Sequence, residues 1–138
     1  MNHPVNNVRY ALMAAILAIS AMPQLSRADI YVIANAATKL TADDIKLIYT
    51  GDKELVGSIK IKPLDNHSAQ SEFLAKVLQL NSNRYDSLWT MKSFRDGLTP
   101  PATKSSDAEV LAYVEATPGA IGYVTTEPPA GVVVVKKF

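Results

Sequence analysis

The nine residues Pro63-Leu64-Asp65-Asn66-His67-Ser68-Ala69-Gln70-Ser71 concentrate the side chains in this chain that could do chemistry. They read as a polar turn, Asp65-Asn66-His67-Ser68, leading from a strand into a helix. The first turn of such a helix carries free backbone N–H groups and the positive end of the helix dipole. The hydroxyls of Ser68 and Ser71, the amides of Ala69 and Gln70 and the Gln70 side chain add donors. Together they make a half-site for an oxyanion such as phosphate. Ser68 as an ordinary helix N-cap accounts for part of the same pattern.

Other chemistries find less material. The chain has no cysteine, which excludes disulfides, thiolate catalysis and cysteine metal sites. Once a leader is removed, His67 is the one remaining histidine, too few for the usual zinc set. A Ser-His-Asp arrangement can be drawn from Ser68 or Ser71, His67 and Asp65. Such near neighbours in one turn seldom align nucleophile, base and orienter, and no G-x-S-x-G elbow is present. Asp43 and Asp44 are explained by their place in a first helical turn. No catalytic residue, no metal and no cofactor is expected, so the chain reads as a non-enzyme.

The elements that must position the half-site are legible in outline. Asp29 to Ala34 (DIYVIA) is a strand with two apolar faces, hence central. Thr41-Ala42-Asp43-Asp44 opens a short helix carrying Ile45, Ile48 and Tyr49, with Gly51 at its stop. Ser58 to Pro63 (SIKIKP) alternates as a strand with Lys60 and Lys62 on its wetter face. Helices follow over about 69–80, with Phe73, Leu74, Val77 and Leu78, and around Tyr85, Leu88 and Trp89. Gly97 to Lys104 (GLTPPATK) reads as a loop. Ser106-Asp107-Ala108-Glu109 is a fuller capping box, opening a helix with Val110, Leu111 and Val114. Pro118-Gly119 ends it, and Ala120 to Val124 and Gly131 to Val135 are strands. The alternation predicts an α/β class: one small domain with a central mixed β-sheet flanked by helices.

The N-terminus reads as a secretory signal over residues 1–28. Arg9 supplies the charge, Tyr10 to Met22 the apolar run, and Ser26-Arg27-Ala28 the small-residue cleavage site. The apolar run is short of the about 20 residues that a membrane span needs. The mature domain would be 29–138, in the periplasm. It would keep 12 of the 14 basic residues against 13 acidic ones, a net charge of −1. With no basic stripe, nucleic acid is not an expected partner.

Several segments then line up with one family. Pro118 to Val124 (PGAIGYV) resembles the signature of phosphate ABC-transporter substrate-binding proteins. Leu40 to Gly51 (LTADDIKLIYTG) is similar to the family's helix ending in a hydrophobic-aromatic-x-Gly pattern, and Asp65 to Phe73 (DNHSAQSEF) sits at its phosphate-binding turn. The resemblance covers nearly the whole mature chain. It implies one lobe of a type II periplasmic-binding architecture, without length for the second.

At the turn, Ser68 and Ser71 match the family's two serines. Ala69 and His67 replace glycines, Gln70 replaces a threonine, and Leu64 stands in place of an arginine that would clamp phosphate. The expected function is a solute-binding-like module for phosphate or a related oxyanion in transport or sensing. The alternative is a ligand-free interaction module that docks on another envelope protein, such as a transporter subunit or a sensor. Neither reading fixes an oligomeric state.

Overall fold

The computed structural model describes residues 28–138. The leader expected over 1–28 therefore lies, but for Ala28, outside the described residues. Seven strands and four α-helices follow in chain order: β1 (Tyr31–Asn35), α1 (Ala42–Tyr49), β2 (Leu55–Val56), β3 (Ile59–Lys60), β4 (Lys62–Asn66), α2 (Gln70–Phe73), α3 (Ser82–Asp96), β5 (Ala102–Lys104), α4 (Asp107–Ala116), β6 (Ala120–Val124) and β7 (Val132–Lys137). A π-helical turn over Leu74–Leu78 prolongs α2.

Five strands form one mixed sheet in the order β5-β4-β6-β1-β7. β4 runs parallel to both β5 and β6, whereas β1 is antiparallel to β6 and β7. β2 and β3 make a separate small hairpin. The expected α/β domain with a mixed central sheet is therefore what forms.

The strand period of two sorts side chains onto two faces. On one face Val32, Ile121 and Tyr123 pack with Tyr49 of α1, Phe73 of α2 and Trp89 of α3. On the other, Ile33, Leu64 and Val124 pack with Val110 and Val114 of α4. β1 is buried on both faces because both layers need it. Each fully buried aliphatic or aromatic side chain here contributes about 1.5–3 kcal/mol.

Helix ends follow local chemistry. Asp44 accepts hydrogen bonds from the Thr41 N–H (2.9 Å) and hydroxyl (3.0 Å), fixing the start of α1. At α4 the Ser106 cap forms, its Oγ accepting from the Glu109 N–H (3.4 Å), but the expected box does not close: the Glu109 carboxylate accepts from the N–H of Ser105 (2.9 Å), one residue before the cap.

Three segments differ from the sequence reading. The strand expected over 58–63 splits: Ile59–Lys60 belongs to the hairpin, and β4 begins at Lys62 and continues to Asn66. Asp65 and Asn66 are therefore strand residues, 2% and 0% exposed, and only His67 to Ala69 form the turn. The loop over 97–104 contains β5 at its end, an edge strand that pairs only with β4. The helix over 69–80 is shorter, ending at Gln79, whose φ of 57° turns the chain left-handed.

Candidate functional site

β4 and β5 are parallel neighbours, and each is followed by a helix. The helix after β4 packs on one face of the sheet, the helix after β5 on the other. The strand order reverses between β4 and its other parallel neighbour, β6, and α/β sheets bind ligands beyond the carboxyl ends of the strands at such a switch point. Beside it, the His67 N–H donates to the Lys104 carbonyl at 2.8 Å and ties the ends of β4 and β5 together.

Asn66 holds this end of the sheet from beneath. Its Oδ1 accepts from the Ser68 N–H (3.1 Å) and the Ser68 hydroxyl (2.6 Å). Its Nδ2 donates to Asp107 Oδ1 (2.7 Å) and to the Tyr123 carbonyl (3.0 Å). One buried amide thus joins the start of α2, the start of α4 and the end of β6. Asp107 Oδ2 in turn accepts from the Thr125 N–H (3.0 Å), the Thr125 hydroxyl (2.8 Å) and, more weakly, the Thr126 hydroxyl (3.4 Å). Burial opposes ionisation of Asp107. The hydrogen bonds from Thr125, Asn66 and Thr126 outweigh it and hold the carboxyl below its ordinary pKa.

The four residues of the expected half-site are contiguous at this turn, but their donors differ in use. Ser68 is exposed, with both its donors directed to Asn66. The Ala69 N–H donates to the Asn66 carbonyl at 3.0 Å, and Ala69 itself is buried. The N–H groups of Gln70 and Ser71 precede the first intrahelical bond, which runs from the Phe73 N–H to the Ala69 carbonyl at 3.0 Å. With the exposed Ser71 hydroxyl they are the half-site's outward donors. Leu64, 2% exposed, is packed in the core and does not plug the turn; His67 is exposed beside it. The Ser68 hydroxyl proton rests on an amide oxygen, which is no base.

Asp65, one residue earlier, lies under α3 and makes no part of the turn. It accepts from the Tyr85 hydroxyl (2.7 Å) and the Tyr123 hydroxyl (2.8 Å). Tyr123 stacks flat on Phe73, with centroids 3.8 Å apart. Burial raises the Asp65 pKa above its ordinary value, against the lowering effect of the tyrosine hydroxyls and Gln70. The folded carboxyl thus keeps its proton to higher pH than the unfolded one. Stability contributed here is full below the ordinary carboxylate range and falls as pH rises through the folded value. Relative to an Asp65→Asn variant, the parent chain should lose melting temperature as pH rises from about 4. The gap should then level off. Melting curves of both proteins across that range check it, and a gap constant with pH would contradict it.

Asn66 and Asp107 are the residues that sequence reasoning missed. Asn66 looked like a turn residue and Asp107 like the first residue of a capped helix. They are 41 positions apart. No spacing rule joins them before the parallel pairing of β4 with β5 and β6 is known.

No family model and no curated protein sequence matches the chain. Solved structures do. One, from Clostridium perfringens, is described as a phosphate ABC transporter substrate-binding protein with bound phosphate; it is 20% identical with a TM-score of 0.49, covering 80% of this chain and 46% of that one. An ABC-type phosphate transport receptor from Vibrio cholerae is 14% identical with a TM-score of 0.47, over 80% and 47%. PstS from Borrelia burgdorferi is 19% identical with a TM-score of 0.40, over 70% and 41%. The likeness is one of fold. The chain spans less than half the length of each of these structures. No helix of the described residues is long and apolar enough to cross a membrane.

Proposed function

We propose that this domain is a single-lobe, solute-binding-type module of the periplasm, exported with cleavage after Ala28, whose ligand is a small oxyanion, phosphate first. One observation carries the reading: the outward N–H groups of Gln70 and Ser71, with the Ser71 hydroxyl, stand at the switch point of the sheet. Ser68 and the Ala69 backbone set the shape of the turn through their bonds to Asn66. Recognition is by oriented donors, with no bond made or broken. A half-site of this kind binds weakly until a second chain or a partner completes its wall.

A second reading rests on its own observation. Asn66 and the Asp107 carboxylate already absorb most donors at the switch point, as a bound anion would. Phe94 of α3, meanwhile, is 95% exposed, with Met91 at 47%. A lobe of that description is an interaction module that docks on another envelope protein.

Calorimetric titration with phosphate, with sulfate as control, separates the two. The oxyanion reading expects saturable heat with Kd on the order of 1 mM. Ser71→Ala and Ser68→Ala should each weaken it several-fold, Ser71→Ala more. Neither heat nor thermal stabilisation at about 10 mM phosphate would sink that reading and leave docking.

A further inference from the structure

A second recess lies at the opposite end of β4, walled by the last turn of α1, the β2–β3 hairpin and the loop after α3. It encloses about 280 Å³, near the lower end of small-molecule sites. Its floor is apolar: Ile48, Ile61 and Trp89 are each at most 5% exposed, and Leu98 is half-buried. Gly51 keeps it open. A Cβ there would stand 3.1 Å from the Trp89 ring and 3.3 Å from Leu98, and its φ of +76° disfavours any side chain.

The rim is charged. It carries Lys53, Lys60, Lys62 and Glu54. The Lys53 ammonium is bound to Asp44 at 2.6 Å, and nearby Lys92 of α3 is bound to Asp52 at 2.6 Å. Among the described residues no carboxylate lies within ion-pair distance of Lys60 or Lys62. Both are exposed, on either side of the buried Ile61. With Lys53 paired to Asp44 and Glu54 the one acid on the rim, the mouth keeps a surplus of positive charge over an apolar floor.

That combination selects for a ligand with an apolar body and an anionic head. Inorganic phosphate would waste the floor, and a neutral hydrocarbon would waste the lysines. We propose that this recess binds a small amphipathic carboxylate, an aryl or short alkyl acid, with its body against Trp89 and Leu98 and its carboxylate between Lys60 and Lys62. The site is separate from the Ser68 turn, about 13 Å away along β4. It does not depend on the oxyanion reading.

Trp89 is the only tryptophan in the chain and reports directly on the floor. The experiment is a fluorescence titration of the chain with phenylacetate and with its neutral counterpart 2-phenylethanol. Phenylacetate should give a saturable change with a midpoint on the order of 1 mM, and the alcohol should bind about tenfold more weakly. In the Lys60→Gln/Lys62→Gln double variant the phenylacetate midpoint should rise about tenfold. Its thermal unfolding should stay near the parent's, since both side chains are exposed. About 10 mM inorganic phosphate should leave the titration unchanged. Equal binding of acid and alcohol, an unchanged midpoint in the double variant, displacement by phosphate, or no saturation by about 20 mM would overturn the proposal.

Discussion

Asn66→Ala should lower the unfolding free energy by about 3 kcal/mol, because it opens the base of the switch point in three directions at once. The amide is fully buried and makes four hydrogen bonds. Truncation leaves the Tyr123 carbonyl unpaired under the sheet and removes a donor from the Asp107 carboxylate. A partly buried charge that loses a donor costs more than the bond is worth in isolation. The Asp107 pKa should rise towards its ordinary value, so the variant should also lose less stability than the parent as pH falls through that range. A double-mutant cycle with Asp107→Ala reads the shared part. The paired substitutions should destabilise by about 1 kcal/mol less than the sum of the two alone. Additive losses by denaturant titration would mean that the two residues act separately, contrary to the network described.

Gly119→Ala should destabilise by a comparable amount, about 3 kcal/mol. Gly119 follows Pro118 at the end of α4 and adopts φ +85°. A Cβ there would overlap the Lys60 carbonyl oxygen, a backbone atom that cannot swing away. The approach is close because the Lys62 N–H donates to the Gly119 carbonyl at 2.9 Å and the Gly119 N–H donates to Thr38 Oγ1 at 2.8 Å. An added methyl must either break this seam or force the left-handed backbone on alanine. Three residues on, Gly122 brings β6 against α4: a Cβ would meet Val110 Cγ1 at 2.6 Å. The PGAIGYV segment is thus defined by two close approaches, one to the hairpin and one to a helix. Urea unfolding of Gly119→Ala, beside a conservative Ala120→Gly control, tests the first. A loss below about 1 kcal/mol would show that the seam yields cheaply.

What could be read from the sequence depended on how local the cause was. The starts of α1 and α4 were legible because their capping partners lie three or four residues apart. β1 was legible because Val32, Ile33 and Ala34 are apolar without alternation, as burial on two faces requires. The end of β4 was not. Asp65 and Asn66 have the polarity of a turn, and they remain in a strand only because Tyr85, Tyr123 and Asp107 come from 20, 58 and 41 residues away to satisfy them. β5 was hidden by its brevity and the prolines before it. It has only one neighbour to satisfy, so three residues suffice. At the half-site the residue types could be read and their availability could not. Whether Ser68 faces a ligand or Asn66 is decided by the side chain beneath it.

The pairing of β1 bears on the order in which this chain is made. β1 is made first, yet its two partners are β6 and β7, which follow all the other described strands. Ile30 exchanges both backbone hydrogen bonds with Phe138, at 3.1 and 2.8 Å. Until the ribosome has released β7, β1 has both edges bare, and the sheet cannot close from its N-terminal side. Contacts so distant in sequence form late and slowly. Any factor that must hold the chain unfolded can bind it for as long as the stretch from β1 to β7 takes to be made, before a competing native state exists.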